Sequence, residues 1–129
     1  MKKLFFITAT VLFSLNVFSQ GLNFKQKINT NDLIGYWVSS NNSASLFFWK
    51  DFNNELQVQE INNKYAEPLE LISFTINTDS VMTDTRLNST NSIIESIYSF
   101  INKITLKCTY VNYTNGKLVE DTIYYTKIK

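Results

Sequence analysis

The chain has 129 residues, 44% hydrophobic, 15% aromatic and 18% charged, a length that makes one domain around one core and excludes a two-domain enzyme. Twelve Lys and Arg against 11 Asp and Glu give a net charge of +1, which leaves no basic footprint for nucleic acid. No His occurs, so the commonest general base and the commonest metal ligand are both missing.

Met1-Lys2-Lys3 is a short positive segment, Leu4 to Val17 is an apolar run, and Phe18-Ser19-Gln20 follows. That order is a signal peptide over residues 1–19, with Val17 and Ser19 placed to direct cleavage before Gln20. The run is shorter than the roughly 18 to 20 apolar residues that an uncleaved anchor needs to cross a bilayer. A periplasmic or secreted protein is therefore expected, with no membrane span after cleavage. The lone Cys108 lies far from the cut, so no lipobox cysteine is available for a lipid tether and no intramolecular disulfide forms. An odd thiol in such a chain is expected to be buried rather than reactive, since no His is present to lower its pKa. The mature chain would carry 10 basic and 11 acidic residues.

Residues 20–32 are polar without sustained periodicity and read as an N-terminal arm, in which Thr30-Asn31-Asp32 supplies capping residues for a helical turn. From Leu33 to Lys129, segments rich in Ile, Val, Thr, Tyr and Phe alternate with Asn, Asp and Ser clusters, the signature of strands and turns. Eight strands are predicted: 34–40, 44–50, 55–61, 69–77, 80–87, 92–101, 103–113 and 117–128. About 12 residues per strand and turn is the spacing of an antiparallel sandwich or barrel. The segment 92–101 carries Ile93, Ile97 and Ile101 at helical spacing as well, but its four Ile, a Tyr and a Phe favour a strand.

Asn115-Gly116 is the preferred pair for a two-residue type I′ turn. It sets Thr114 opposite Lys117, Tyr110 opposite Asp121, Cys108 opposite Ile123 and Leu106 opposite Tyr125. Alternation then puts Ile104, Leu106, Cys108 and Tyr110 on one face with Val119, Asp121, Ile123 and Tyr125. That face is predicted to be the core. Asp121 is expected at an open rim reached by water or bonded by Tyr110, with a polar anchor inside a cavity as the functional alternative.

Enzymatic constellations are excluded by their missing members. Without His there is no Ser-His-Asp triad, HExxH motif or Cys-His pair, and three Gly cannot build a phosphate loop. Glu120 and Asp121 are adjacent on a strand and point to opposite faces, while Glu67, Glu70, Asp79 and Asp84 sit near turns. No catalytic residue, metal ligand or cofactor is predicted.

Leu33-Ile34-Gly35-Tyr36-Trp37 resembles the G-x-W signature that opens the first strand of lipocalins and related calycins, in the compact bacterial form. The resemblance covers residues 33–129 through its strand count and is carried by Gly35 and Trp37 as identities. It implies an all-β, eight-stranded antiparallel up-and-down barrel with a short N-terminal arm. Trp37 would pack across the closed end and Gly35 would permit close packing at the base. No late Arg stands over the Trp, so Lys127 or Lys129 would take that place, and the C-terminal helix of the longer members is missing.

Two functions follow. In the first, a non-enzymatic lipocalin-like barrel binds a small hydrophobic or amphipathic ligand, with Leu106, Cys108, Tyr110, Asp121, Ile123, Tyr125, Met82 and Tyr98 as lining residues. In the second, the barrel is filled and acts as a protein-binding module such as a secreted inhibitor or immunity-type factor. The succession Phe47-Phe48-Trp49 bears on this choice, because both faces of that strand are aromatic. Phe48, Leu46 and Ala44 are expected to fill the barrel, and Phe47 and Trp49 either lie under the arm's Leu22, Phe24 and Ile28 or form the partner-binding patch.

Overall fold

The computed structural model describes residues 27–114 and 116–129; the leader, Leu22, Phe24 and the turn residue Asn115 lie outside them. One helical turn, α1 (Thr30–Leu33), precedes nine antiparallel strands. Asn29 caps it by accepting a hydrogen bond from Asn31 N at 3.0 Å. The strands are β1 (Gly35–Ser39), β2 (Ala44–Lys50), β3 (Leu56–Asn62), β4 (Glu67–Pro68), β5 (Glu70–Ile76), β6 (Val81–Leu87), β7 (Ser92–Asn102), β8 (Thr105–Thr114) and β9 (Lys117–Lys127). The segment 92–101 is thus a strand, and the eight expected strands become nine.

The strands form one sheet in the order β4-β3-β2-β1-β9-β8-β7-β6-β5, which curls into a nearly closed barrel. The additional strand arises because one extended run changes partners: Glu67 and Pro68 pair with Asn62 and Ile61 of β3, and from Glu70 onward the run pairs with β6. Between β3 and β5 the ladder is open. The seam is held instead by Leu69 N donating to Glu60 O at 2.8 Å and by Gln59 Nε2 donating to the Glu60 and Leu69 carbonyls.

The β8–β9 hairpin has the register expected from its turn, from Thr114 opposite Lys117 to Thr105 opposite Thr126, and Gly116 takes the positive φ of 76° that such a turn requires. The inner face extends less far than expected. Ile104 sits in the β7–β8 turn and Val119 on the projecting end of the hairpin, and both are exposed.

The core fills the end where α1 closes the barrel. Trp37 is fully buried there, its Nε1 donates to Leu33 O at 2.8 Å, and Phe100 tilts against it with ring centroids 6.3 Å apart. Lys127 covers the other side, its Nζ 5.6 Å from the Trp37 ring centre and 2.9 Å from Asp32 O. Gly35 has φ +139°, and a Cβ there would lie 2.1 Å from Lys129 O. The last residues run that close because Tyr36 N donates to Lys129 O at 2.9 Å and Ile128 N to Tyr36 O at 2.7 Å. Leu33, Leu46, Phe48, Leu56, Val58, Val81 and Leu106 complete this half of the core.

Candidate functional site

The opposite half of the barrel is hollow. A cavity of ≈ 260 Å³ opens at the end formed by the β1–β2 turn, β4 and the β8–β9 hairpin. Its deep wall is Glu60, Ser96, Tyr98, Cys108 and Tyr125; its mouth is Ser43, Asn62, Ile94, Tyr110, Asn112 and Ile123. The Tyr98 and Tyr125 rings meet edge to face with centroids 5.8 Å apart, which fixes two aromatic surfaces on one side of the space.

Of the lining residues expected from sequence, Tyr98, Cys108, Tyr110, Ile123 and Tyr125 border the cavity, and Leu106 lies below its floor in the packed core. Asp121 is exposed beyond the mouth, where it accepts a hydrogen bond from Thr122 N. Met82 is a correction. It is 42% exposed and points outward, because Val81, Thr83, Thr85 and Leu87 hold the inner face of β6. The inward threonines have polar partners: Thr85 Oγ1 donates to Ile94 O, and Thr83 Oγ1 meets a carboxyl inside the barrel.

That carboxyl belongs to Glu60, which is only 7% exposed and was not singled out from sequence. Its signal was present, since Leu56, Val58 and Glu60 are the inward alternates of β3. Thr83 Oγ1 donates to Glu60 Oε2 at 2.5 Å, reaching across the seam. Burial raises the Glu60 pKa above its ordinary 4.5, and the hydroxyls of Thr83, Tyr98 and Thr85 oppose the rise by hydrogen bonding. The neighbours titrate far from neutrality. Burial, with the Glu60 charge second, pushes Cys108 up to about 12. Burial also holds Tyr98 and Tyr125 well above the usual phenol range, with the Glu60 and Cys108 charges adding to the effect. The buried Cys108 is therefore a neutral thiol and a poor nucleophile.

The outer face of β2 carries Phe47 and Trp49, stacked with centroids 5.2 Å apart. Phe47 is 43% exposed and Trp49 half-buried. Ile28 does not cover them: it packs on the core at the closed end and its N donates to Thr78 O.

The fold and the hollow define a small, nearly closed antiparallel β-barrel with Trp37 buried toward one end and a cavity toward the other. The chain is similar to the crystal structure of Treponema pallidum Tp0751 (pallilysin), with a TM-score of 0.53 and 14% identity, over 81% of this chain and 86% of that one. That likeness is one of fold alone. No protein-family model and no curated protein matches the chain. Among the described residues, no helix is long and apolar enough to cross a membrane.

Proposed function

We propose that this chain is an exported, non-enzymatic binding protein that takes a small hydrophobic or amphipathic molecule into the open end of its barrel. One observation carries the reading: a hollow of ≈ 260 Å³ is bordered by Glu60, Tyr98, Tyr110, Ile123 and Tyr125, the inward residues of four strands. Interiors are ordinarily close-packed, and space that side chains leave unfilled forfeits dispersion contacts. A hollow lined by aromatic rings and a few polar groups is the common form of a small-molecule site. Export rests on the leader sequence, residues 1–19. The absence of catalysis rests on the missing His and on a Cys108 held neutral by burial.

The test uses an uncharged probe. Wild-type protein should bind 2-phenylethanol in calorimetric titration, and Ser96→Leu, which extends a side chain from β7 into the space, should lose that binding while keeping its melting temperature. Binding that survives Ser96→Leu, or is missing from the wild type, sinks the reading.

A second reading is favoured by the exposed Phe47–Trp49 stack, since aromatic clusters at the surface mark protein interfaces. It predicts that Trp49→Ala abolishes capture of a protein partner and leaves 2-phenylethanol binding unchanged.

A further inference from the structure

The innermost polar group of the cavity is a carboxyl with no cation beside it. Among the described residues, none of the side chains lining the space is Lys or Arg. The groups that face Glu60 are hydroxyls of Thr83 and Thr85 on β6, Tyr98 on β7 and Tyr125 on β9, together with the Cys108 thiol on β8. At the mouth, Tyr110 and the solvated Asp121 are the titratable groups, and neither is basic. Taking a carboxylate out of water without a cationic partner costs several kcal/mol in general, and buried charges in proteins are ordinarily paired. Glu60 also has a structural task, because its bond to Thr83 ties β3 to β6 across the open seam. That task needs only an acceptor at Oε2, which an uncharged Gln supplies equally well. It leaves an ionisable group, rather than the Gln that would serve the seam as well, on the wall of a cavity.

We propose, resting on the reading of the cavity as a ligand site, that its guest is a small organic cation. It would be a primary amine on a body of one aromatic ring or a short alkyl chain, with the ammonium on the Glu60 carboxylate and the body against Ile94, Tyr110 and Ile123. The size follows from the cavity, whose ≈ 260 Å³ lies just below the roughly 300 to 1,000 Å³ typical of drug-sized sites. The charge follows from Glu60, since an N–H donor that is itself cationic makes a shorter and stronger bond to a carboxylate than a neutral hydroxyl does. The half-buried Tyr110, Ile94 and Ile123 supply the apolar surface for the body of the guest. Because Cys108, Tyr98 and Tyr125 stay neutral, Glu60 is the deep group of the cavity that changes charge with pH. Burial raises its pKa, so the carboxylate that receives the ammonium is lost as pH falls through that raised value.

Calorimetric titration of the mature protein with 2-phenylethylamine, 2-phenylethanol and phenylacetate tests this. The amine should bind at least about tenfold more tightly than the alcohol, as a charge-assisted bond exceeds a neutral one, and the acid should bind most weakly. Lowering the pH toward 4.5 should weaken the amine and leave the alcohol unchanged. Glu60→Gln, which keeps an acceptor for Thr83, should lose the preference for the amine over the alcohol. Equal binding of amine and alcohol to the unaltered protein, or an undiminished amine preference in Glu60→Gln, overturns the inference and leaves the ligand-site reading standing. Binding of none of the three probes overturns both. The comparison on the unaltered protein decides the matter even where the variant fails to fold.

Discussion

Replacing Gly35 by Ala tests whether the closed end of the barrel is built on the approach of the last residues to β1. The methyl group would lie 2.1 Å from Lys129 O and 2.8 Å from Lys127 Cε, and the backbone at φ +139° is one that only Gly adopts without strain. The strain costs about 1 to 3 kcal/mol. Relief of the clash means moving the last residues away, which breaks the two shorter of the backbone bonds joining Tyr36 to Ile128 and Lys129, each worth about 1 kcal/mol. It also disturbs Lys127 over the Trp37 ring, worth about 0.5 to 1 kcal/mol. A loss of about 3 to 6 kcal/mol is expected, a large share of the roughly 5 to 15 kcal/mol by which domains are stable. Urea unfolding followed by tryptophan fluorescence measures it. The same substitution in a chain lacking Ile128 and Lys129 should cost only the strain, so the two backgrounds should differ by about 2 kcal/mol or more. A cost below about 1 kcal/mol, or an equal cost in both backgrounds, refutes the reasoning.

Glu60 makes stability depend on pH. Its carboxyl is neutral in both states below 4.5; between there and its raised folded value the unfolded chain has released a proton that the folded chain still holds. Stability should therefore fall as pH rises through that window, by about 1.4 kcal/mol per pH unit at most, and then level off. Glu60→Gln should flatten this fall in chemical unfolding at several pH values, and an unchanged slope would assign it to other groups. Lys127→Met removes the bond to Asp32 O and the cation from the Trp37 face and should cost about 1 to 2 kcal/mol in the same assay; no loss would mean the lysine is incidental. Cys108 should resist thiol reagents at about pH 8 in the folded protein and react at once on unfolding. Rapid labelling of the folded state would contradict its burial.

Much of the barrel is legible in the local pattern, because alternation and turn chemistry act over a few residues. The Asn115-Gly116 turn sets the β8–β9 register, and with it Leu106, Cys108, Ile123 and Tyr125 on the inside. What stays hidden depends on partners distant in sequence. The run from Glu67 to Ile76 carries no mark of the point at which it leaves β3 for β6. Its position beside the open seam leaves Leu71, Ile72 and Ile76 exposed, where hydrophobicity suggests burial. On β6 the same limit reverses the phase: Met82 is the more apolar residue, yet Thr83 and Thr85 face inward, where Thr83 donates to Glu60 across the seam and Thr85 to Ile94 O. Glu60 itself could have been found by following Leu56 and Val58 two residues further on the same face. A search guided by apolar residues passes over it, and the site's most informative side chain is the one that breaks the hydrophobic pattern.

The central claim is that the open half of the barrel holds a small molecule. Native mass spectrometry of the purified protein tests it most directly. The account predicts a protein that carries a small added mass, released on denaturation and competed by 2-phenylethylamine. A protein that arrives bare and stays bare in the presence of the amine and of 2-phenylethanol would contradict it, and a co-purified protein lost in Trp49→Ala would transfer the function to the outer face of β2.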